Sequence, residues 1–192
     1  MNADEKLSDD GWVQTFTGRQ FWPLSPRAEH VCIEDIAHAL SLLCRFTGHV
    51  REFYSVAHHS VLVCSYVMEK MGRAMDHRVA MTALMHDAAE AYIADIARPV
   101  KHRLIGFREH EERIEVAIAQ RFDLFYPFPA IVKEADNVLL NTERRDLMAT
   151  PPRPWNTHGV GELAHAIIPW RSAVAEVAFL TRFKMLSNYE VR

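Results

Sequence analysis

The chain has 192 residues, 49% of them hydrophobic and 24% charged, which is enough to bury a substantial core within one domain. A net charge of −3, spread without long single-sign runs, excludes the basic stripe of a general nucleic-acid or membrane-surface binder. The three cysteines, Cys32, Cys44 and Cys64, are odd in number and show no CxxC spacing, so neither a disulfide framework nor a thiolate zinc cluster is indicated. No apolar run approaches the roughly 18 residues of a membrane span, and the opening MNADEKLSDD is polar and acidic. The expectation is a cytoplasmic protein, a single domain over residues 1–192, with residues 1–11 flexible.

Residues 12–26 are aromatic and carry Gly18, Pro23 and Pro26, which reads as an extended or turning cover without a helix. Ile33, Ile36, Ala37, Leu40, Leu43 and Cys44 have helical spacing, with Glu34 and Asp35 where a helix N-terminus favours negative charge. This predicts a helix over residues 33–46, broken at Thr47-Gly48. A second helix starts near Ser55 and runs to Gly72. A third spans residues 77–95 and is ended by Pro99, because the residue before a proline is pushed out of helical geometry. A fourth covers residues 110–122. Beyond Pro127 and Pro129, a fifth runs from about Val132 to Met148. Residues 149–161, ATPPRPWNTHGVG, exclude regular structure and suit either a lid or a plain surface connection. A last helix covers residues 172–189. No convincing strand and no internal repeat appears, so the fold class is all-α, a helical bundle under an irregular N-terminal segment.

Eleven histidines stand out, and three helices place ionisable groups on what should be their core face. In the third helix the stripe reads Ala83, His86, Asp87, Glu90, Ala94; in the second, Val56, His59, Ser60, Val63; in the fifth, Val132, Ala135, Asp136, Leu139. A buried charge demands pairing, protonation or a metal, and His59, His86, Asp87 and Asp136 can converge on one divalent cation. Adjacent His86 and Asp87 lie about 100° apart around a helix, so they bracket an ion rather than both pointing at it. Mixed nitrogen and oxygen ligands suit manganese, cobalt, iron or zinc better than calcium. Lone histidines on apolar faces are more often hydrogen-bonded core residues, and His38, His49, His102, His110, His158 and His165 are read that way. His77 is placed at a helix start, and His58 faces about 100° away from His59.

At these residues the sequence resembles the HD superfamily of metal-dependent phosphohydrolases, whose pattern is H, then HD, then D on separate helices. It stands here as His59 in SVAHHSVLV, His86-Asp87 in ALMHDAAEAYIADIARPVK and Asp136 in VKEADNVLL. HDAAE followed by AD and RPVK is similar to the subgroup of bacterial and phage nucleotidases that includes 5'-deoxynucleotidases and phage dATP triphosphohydrolases. The upstream stretch IEDIAHALSLLCRFTGHVREFYSVAHHS is also similar to small members of that subgroup, and the resemblance covers residues 12–148.

The resemblance implies an HD-domain-like bundle with His59, His86, Asp87 and Asp136 as ligands of one divalent transition-metal ion. It implies Glu90 and Asp95 as an acid–base pair, and Arg45 as the arginine that meets the substrate phosphate. Phe46 would touch sugar or base, and Lys101 sits where a basic residue follows the second carboxylate. The sequence departs from the pattern at His58, where relatives carry an acidic or amide residue, and at Ala97, in place of a proline. The spacing from Arg45 to His59 is also one residue shorter than in the deoxynucleotidases.

The implied activity is hydrolysis of phosphate from (deoxy)nucleoside monophosphates, with a dNTP triphosphohydrolase of the dATP type as the alternative. A reading of another class is a metal-stabilised nucleotide-binding module without turnover; a further one is a bimetallic cyclic-nucleotide phosphodiesterase, for which His58 would be the extra histidine. The expected partner is a small-molecule nucleotide, with neither nucleic acid nor membrane. A homo-oligomer is permitted but not required.

Overall fold

The computed structural model of the protein describes residues 11–155 and 159–187, and among these it has eight α-helices and one two-stranded sheet. The all-α expectation holds. No helix among the described residues is long and apolar enough to cross a membrane.

Strands β1 (Val13–Gln14) and β2 (Gln20–Phe21) form a small antiparallel hairpin, with Val13 opposite Phe21 and Gln14 opposite Gln20. At two residues each, they are too short to display the alternation that marks a strand in sequence. Gly18 supplies the positive φ the turn needs, at 80°. The hairpin is tied down by Asp35, whose carboxylate accepts from the Thr17 amide (2.7 Å) and hydroxyl (3.1 Å). Phe21, fully buried, stacks on Tyr92 with ring centres 3.7 Å apart.

Helix α1 (Ile33–Leu42) stops four residues before the expected end. The chain then turns extended because Leu43–Arg45 pairs with the segment entering the next helix: the Arg45 amide donates to the Tyr54 carbonyl (2.9 Å), the Val56 amide donates to the Leu43 carbonyl (3.0 Å), and Cys44 bridges Ser55. A single 3-10 turn follows, with Phe46 and Thr47 at positive φ, 56° and 55°. Helix α2 (Val56–Met71) agrees with the sequence expectation at both ends. The Ser55 side chain caps it by accepting the His58 amide (3.2 Å), and Gly72 closes it at φ 53°. This helix is central, packing against α1 and, further along the chain, α3 (His77–Leu84), α7 (Ala130–Leu147) and α8 (Ser172–Ser187).

The expected third helix is not continuous. Asp76 caps α3 by accepting the Arg78 and Val79 amides, but the helix ends at Leu84, and residues 85–89 form turns before α4 (Glu90–Ile93). The amides of Ala88, Glu90 and Tyr92 all reach back three residues instead of four, so the backbone tightens just where His86 and Asp87 stand. Ala94 then takes a positive φ of 68°. Pro99 does not end the helix as expected, since α4 already stops at Ile93; it sits instead in the first turn of a short α5 (Arg98–Lys101), where its missing amide costs nothing. Helix α6 (Phe107–Phe122) starts three residues before the expected boundary, behind Gly106 at φ 76°.

Residues 149–155 and 159–161 have no regular structure, as expected, while 156–158 lie outside the described residues. The stretch that follows is stitched to α7. Asn141 donates to the Val160 carbonyl (2.9 Å), Thr142 accepts the Leu163 amide (2.9 Å), and Asp146 accepts the Ile167 amide (2.8 Å). Helix α8 is described to Ser187, so the expected end at 189 and the expectation for residues 1–10 lie outside the described residues.

Because Phe21 plugs the core through the hairpin alone, Phe21→Ala is expected to cost about 3–5 kcal/mol, seen as a lower urea midpoint with an unchanged m-value.

Candidate metal centre

His59 on α2 is fully buried, and its Nε2 lies 3.3 Å from Nε2 of His86, in the tight turn after α3. Asp87 Oδ2 is 3.2 Å from the same His86 nitrogen and 3.6 Å from that of His59. The ligand atoms of His59, His86 and Asp87 all lie within 4.8 Å of one another. From α7, Asp136 brings Oδ1 to 3.5 Å from His59 Nε2, while its Oδ2 takes an ion pair from Lys133 (2.7 Å). His59, His86 and Asp87 thus form one tight group of ligand atoms, and Asp136 joins it through His59 from a third element. In a regular helix His86 and Asp87 would diverge by about 100°; the three-residue hydrogen bonding of residues 85–92 accompanies their close approach here.

Both imidazoles are held by the nitrogen that faces away from this point. His86 Nδ1 lies 2.9 Å from the Ala83 carbonyl, which can only accept, and His59 Nδ1 lies 2.5 Å from Glu143 Oε1. Each ring's proton therefore belongs on Nδ1, and two Nε2 lone pairs face one another, an arrangement that calls for a cation or an extra proton between them. Although burial and Arg45 oppose it, Glu143 and Asp136 push the His59 imidazolium up to about 9. Asp87 is held below the usual carboxylate range because His86, His59 and Arg45 outweigh its burial, and Asp136 likewise because His59 outweighs its burial. The donor set of two imidazoles and two carboxylates fits a divalent transition metal.

Glu90 opens α4 and is nearly buried, with no hydrogen-bond partner for its Oε2. Burial and the charges of Asp87 and Asp95 raise its carboxyl well above the ordinary value. Asp95, half-buried beyond the positive-φ Ala94, is raised by burial and by Asp87 against the pull of Arg45. A cavity of about 390 Å³ is lined by His86, Asp87, Glu90, Lys101, Glu115 and Asp136 among others. A separate cavity of about 280 Å³, between Arg78, Arg121 and Phe183, holds none of these residues.

The expected substrate residues are not equally placed. Arg45 is buried and reaches the cluster, with Nη1 3.3 Å from Asp87 Oδ2, but its Nε and Nη2 are taken by Glu143 Oε2 at 3.2 and 3.1 Å. Phe46 does not line the cavity; its ring tilts toward Trp155, 6.3 Å away. Lys101 lines the cavity, with its ammonium paired to Glu111. His58 accepts the Trp170 amide at Nδ1 (3.3 Å) and stacks on its indole at 3.8 Å, and it is not part of the group formed by His59, His86 and Asp87. Burial accordingly depresses His58 to about 4.

One residue of the site was missed in the sequence. Glu143 is fully buried and binds Tyr54, His59 and Arg45 at once, although it continues the stripe Val132, Ala135, Asp136, Leu139 by one further turn. That spacing was the available signal, within the run TERRD, four of whose residues are charged.

Across the cavity on α6, burial and Glu111 push Glu115 up to about 7. A raised carboxylate pKa means that the native state holds the proton more tightly than the unfolded chain. Its stabilisation is full below about pH 4.5 and is lost as pH rises through 7. Glu115→Gln is therefore expected to raise stability at pH 8 by on the order of 1–3 kcal/mol and to have little effect at pH 4.5, measured by urea unfolding at the two pH values.

Comparison with known proteins agrees with this geometry. Residues 46–147 match the family described as 5'-deoxynucleotidase YfbR-like, a span that holds all four converging side chains. The chain is 36% identical over 179 residues to the uncharacterized protein YfdR of Escherichia coli (strain K12), covering 92% of this chain and 96% of that one. It is also 35% identical over 127 residues to an uncharacterized protein of Rhodobacter capsulatus, covering 65% of this chain and 64% of the relative. With the H, HD and D residues gathered at one buried point and the family match spanning them, the chain belongs to the YfbR-like 5'-deoxynucleotidase family of the HD-domain superfamily.

Proposed function

We propose that the protein is a metal-dependent phosphohydrolase that releases phosphate from deoxynucleoside monophosphates. The observation that carries this reading is the pair of imidazole Nε2 atoms 3.3 Å apart, each ring held at its Nδ1, flanked by Asp87 and Asp136, beside a buried carboxylate with an unpartnered oxygen. His59, His86, Asp87 and Asp136 would hold one divalent ion, with manganese, cobalt, zinc and iron all compatible with the ligand set. Such an ion supplies Lewis acidity at the phosphoryl group and lowers the pKa of water.

The chain's own groups account for the remaining steps. Glu90 Oε2 faces no competing hydrogen-bond donor, so it is available to orient the attacking water and take its proton. Asp95, raised by burial and Asp87, is suited to carry a proton and give it to the departing 5'-oxygen. The P–O bond to the nucleoside breaks as the bond from the water oxygen forms, leaving nucleoside and inorganic phosphate. Arg45 Nη1, directed at Asp87 and the cluster, would neutralise charge on the phosphoryl oxygens. Lys101 at the cavity wall adds positive potential that Glu111 tempers.

Incubation of metal-loaded protein with dAMP, AMP, dATP and ATP separately tests the proposal. Nucleoside plus phosphate from dAMP is expected with manganese, cobalt or zinc. Triphosphate released from dATP would instead make the protein a triphosphohydrolase, and no product from any substrate would leave a nucleotide-binding module. Glu90→Gln is expected to lower kcat by about 10²–10⁴-fold with metal content unchanged, whereas Asp87→Asn loses both metal and turnover. Full metal occupancy in Asp87→Asn contradicts the ligand assignment.

A further inference from the structure

The Glu143 carboxylate has no exposure, and both of its oxygens are committed to donors of different function. Oε1 accepts the Tyr54 hydroxyl (2.9 Å) and lies 2.5 Å from His59 Nδ1; Oε2 accepts Nε and Nη2 of Arg45. We infer that Glu143 is a positioning residue that orients a metal-facing histidine and a phosphate-facing arginine together, so that metal affinity and substrate affinity are set by one buried carboxylate. The inference rests on the function proposed above, and it assigns to Glu143 no contact with substrate.

The argument is one of hydrogen-bond chemistry. Held at Nδ1, the His59 ring turns Nε2 toward His86, Asp87 and Asp136. Held along Nε and Nη2, the Arg45 fork leaves Nη1 as the edge directed at Asp87. Every group that meets Glu143 is a donor, and an ionised carboxylate offers acceptors only. Glutamine has the same shape but must place its NH₂ against one donor set, either Tyr54 and His59 or the Arg45 guanidinium. Helix periodicity supplies the reach: Glu143 lies seven residues, two turns, beyond Asp136 on α7, so one helix addresses both ends of the His59 ring.

Three measurements on the full chain test this. The first is Zn²⁺ affinity by chelator competition; the second is KM and kcat for dAMP at saturating metal; the third is the thermal midpoint. Glu143→Gln is expected to weaken Zn²⁺ binding by about 10- to 100-fold and to raise KM by about tenfold. Asn141→Ala removes a buried side-chain bond to the Val160 carbonyl from the same helix, and it is expected to lower only the thermal midpoint. In a double-mutant cycle, Arg45→Lys combined with Glu143→Gln is expected to raise KM by less than the product of the single effects. Glu143→Asp keeps the charge but withdraws the oxygens by one methylene, and it reports the same quantities if the glutamine variant does not fold. Variants that lose thermal stability while keeping wild-type Zn²⁺ affinity and KM overturn the inference and leave the proposed function standing. A wild-type protein that takes up no ion in the same competition overturns the metal reading itself.

Discussion

Two imidazole nitrogens 3.3 Å apart, both turned inward with their protons held on the far side, form an arrangement that an apolar interior does not tolerate without positive charge between them. Much of the polar interior can be understood as compensation for that demand. Asp87 and Asp136 supply negative charge around the point, Arg45 returns positive charge beside Asp87, and Glu143 balances Arg45 from behind. Buried ion pairs of this kind contribute little net stability once desolvation is counted, but removing one partner is costly because the other is left buried and unpaired. The network is better understood as fixing geometry than as strengthening the fold.

The bundle provides that geometry with ordinary devices. Helix α2, capped by Ser55, runs through the centre and places His59 where α3 and α7 meet it. The break at residues 85–89 forfeits regular helical bonding in exchange for a turn in which two consecutive residues serve the same centre. On the other side, α7 presents Asp136 and Glu143 two turns apart and uses Asn141, Thr142 and Asp146, among other polar residues, to hold the chain that leads to α8. Rigidity at α7 thus serves the loop and the centre alike.

The sequence made the ionisable stripe visible because a helix repeats every 3.6 residues and a core face should be apolar; His59, His86, Asp87 and Asp136 violate that rule and are brought together in space. Glu143 obeyed the same period, but it stands among charged neighbours and its partners Tyr54, His59 and Arg45 are far away along the chain. Phe46 looked like a pocket residue from its place beside Arg45, yet the positive φ of its own backbone accompanies a ring that lies toward Trp155. The early end of α1 was invisible for a related reason: Leu43 and Cys44 have helical spacing, but their hydrogen bonds go to residues 54–56.

Local chemistry, then, settled what could be settled locally: the all-α class, the Ser55 cap and Gly72 stop of α2, the proline boundary before α7, and which side chains were too polar for the faces they occupied. These depend on interactions within a few residues along the chain, where propensity and periodicity act. Packing decided the remainder, because it joins groups that the sequence keeps far apart. Arg45 and Glu143 are separated by 98 positions, and His59 and Glu143 by 84. Whether an arginine is free for phosphate or already held by a carboxylate, and which nitrogen of a histidine faces the centre, follows from those long-range contacts and has no local signature.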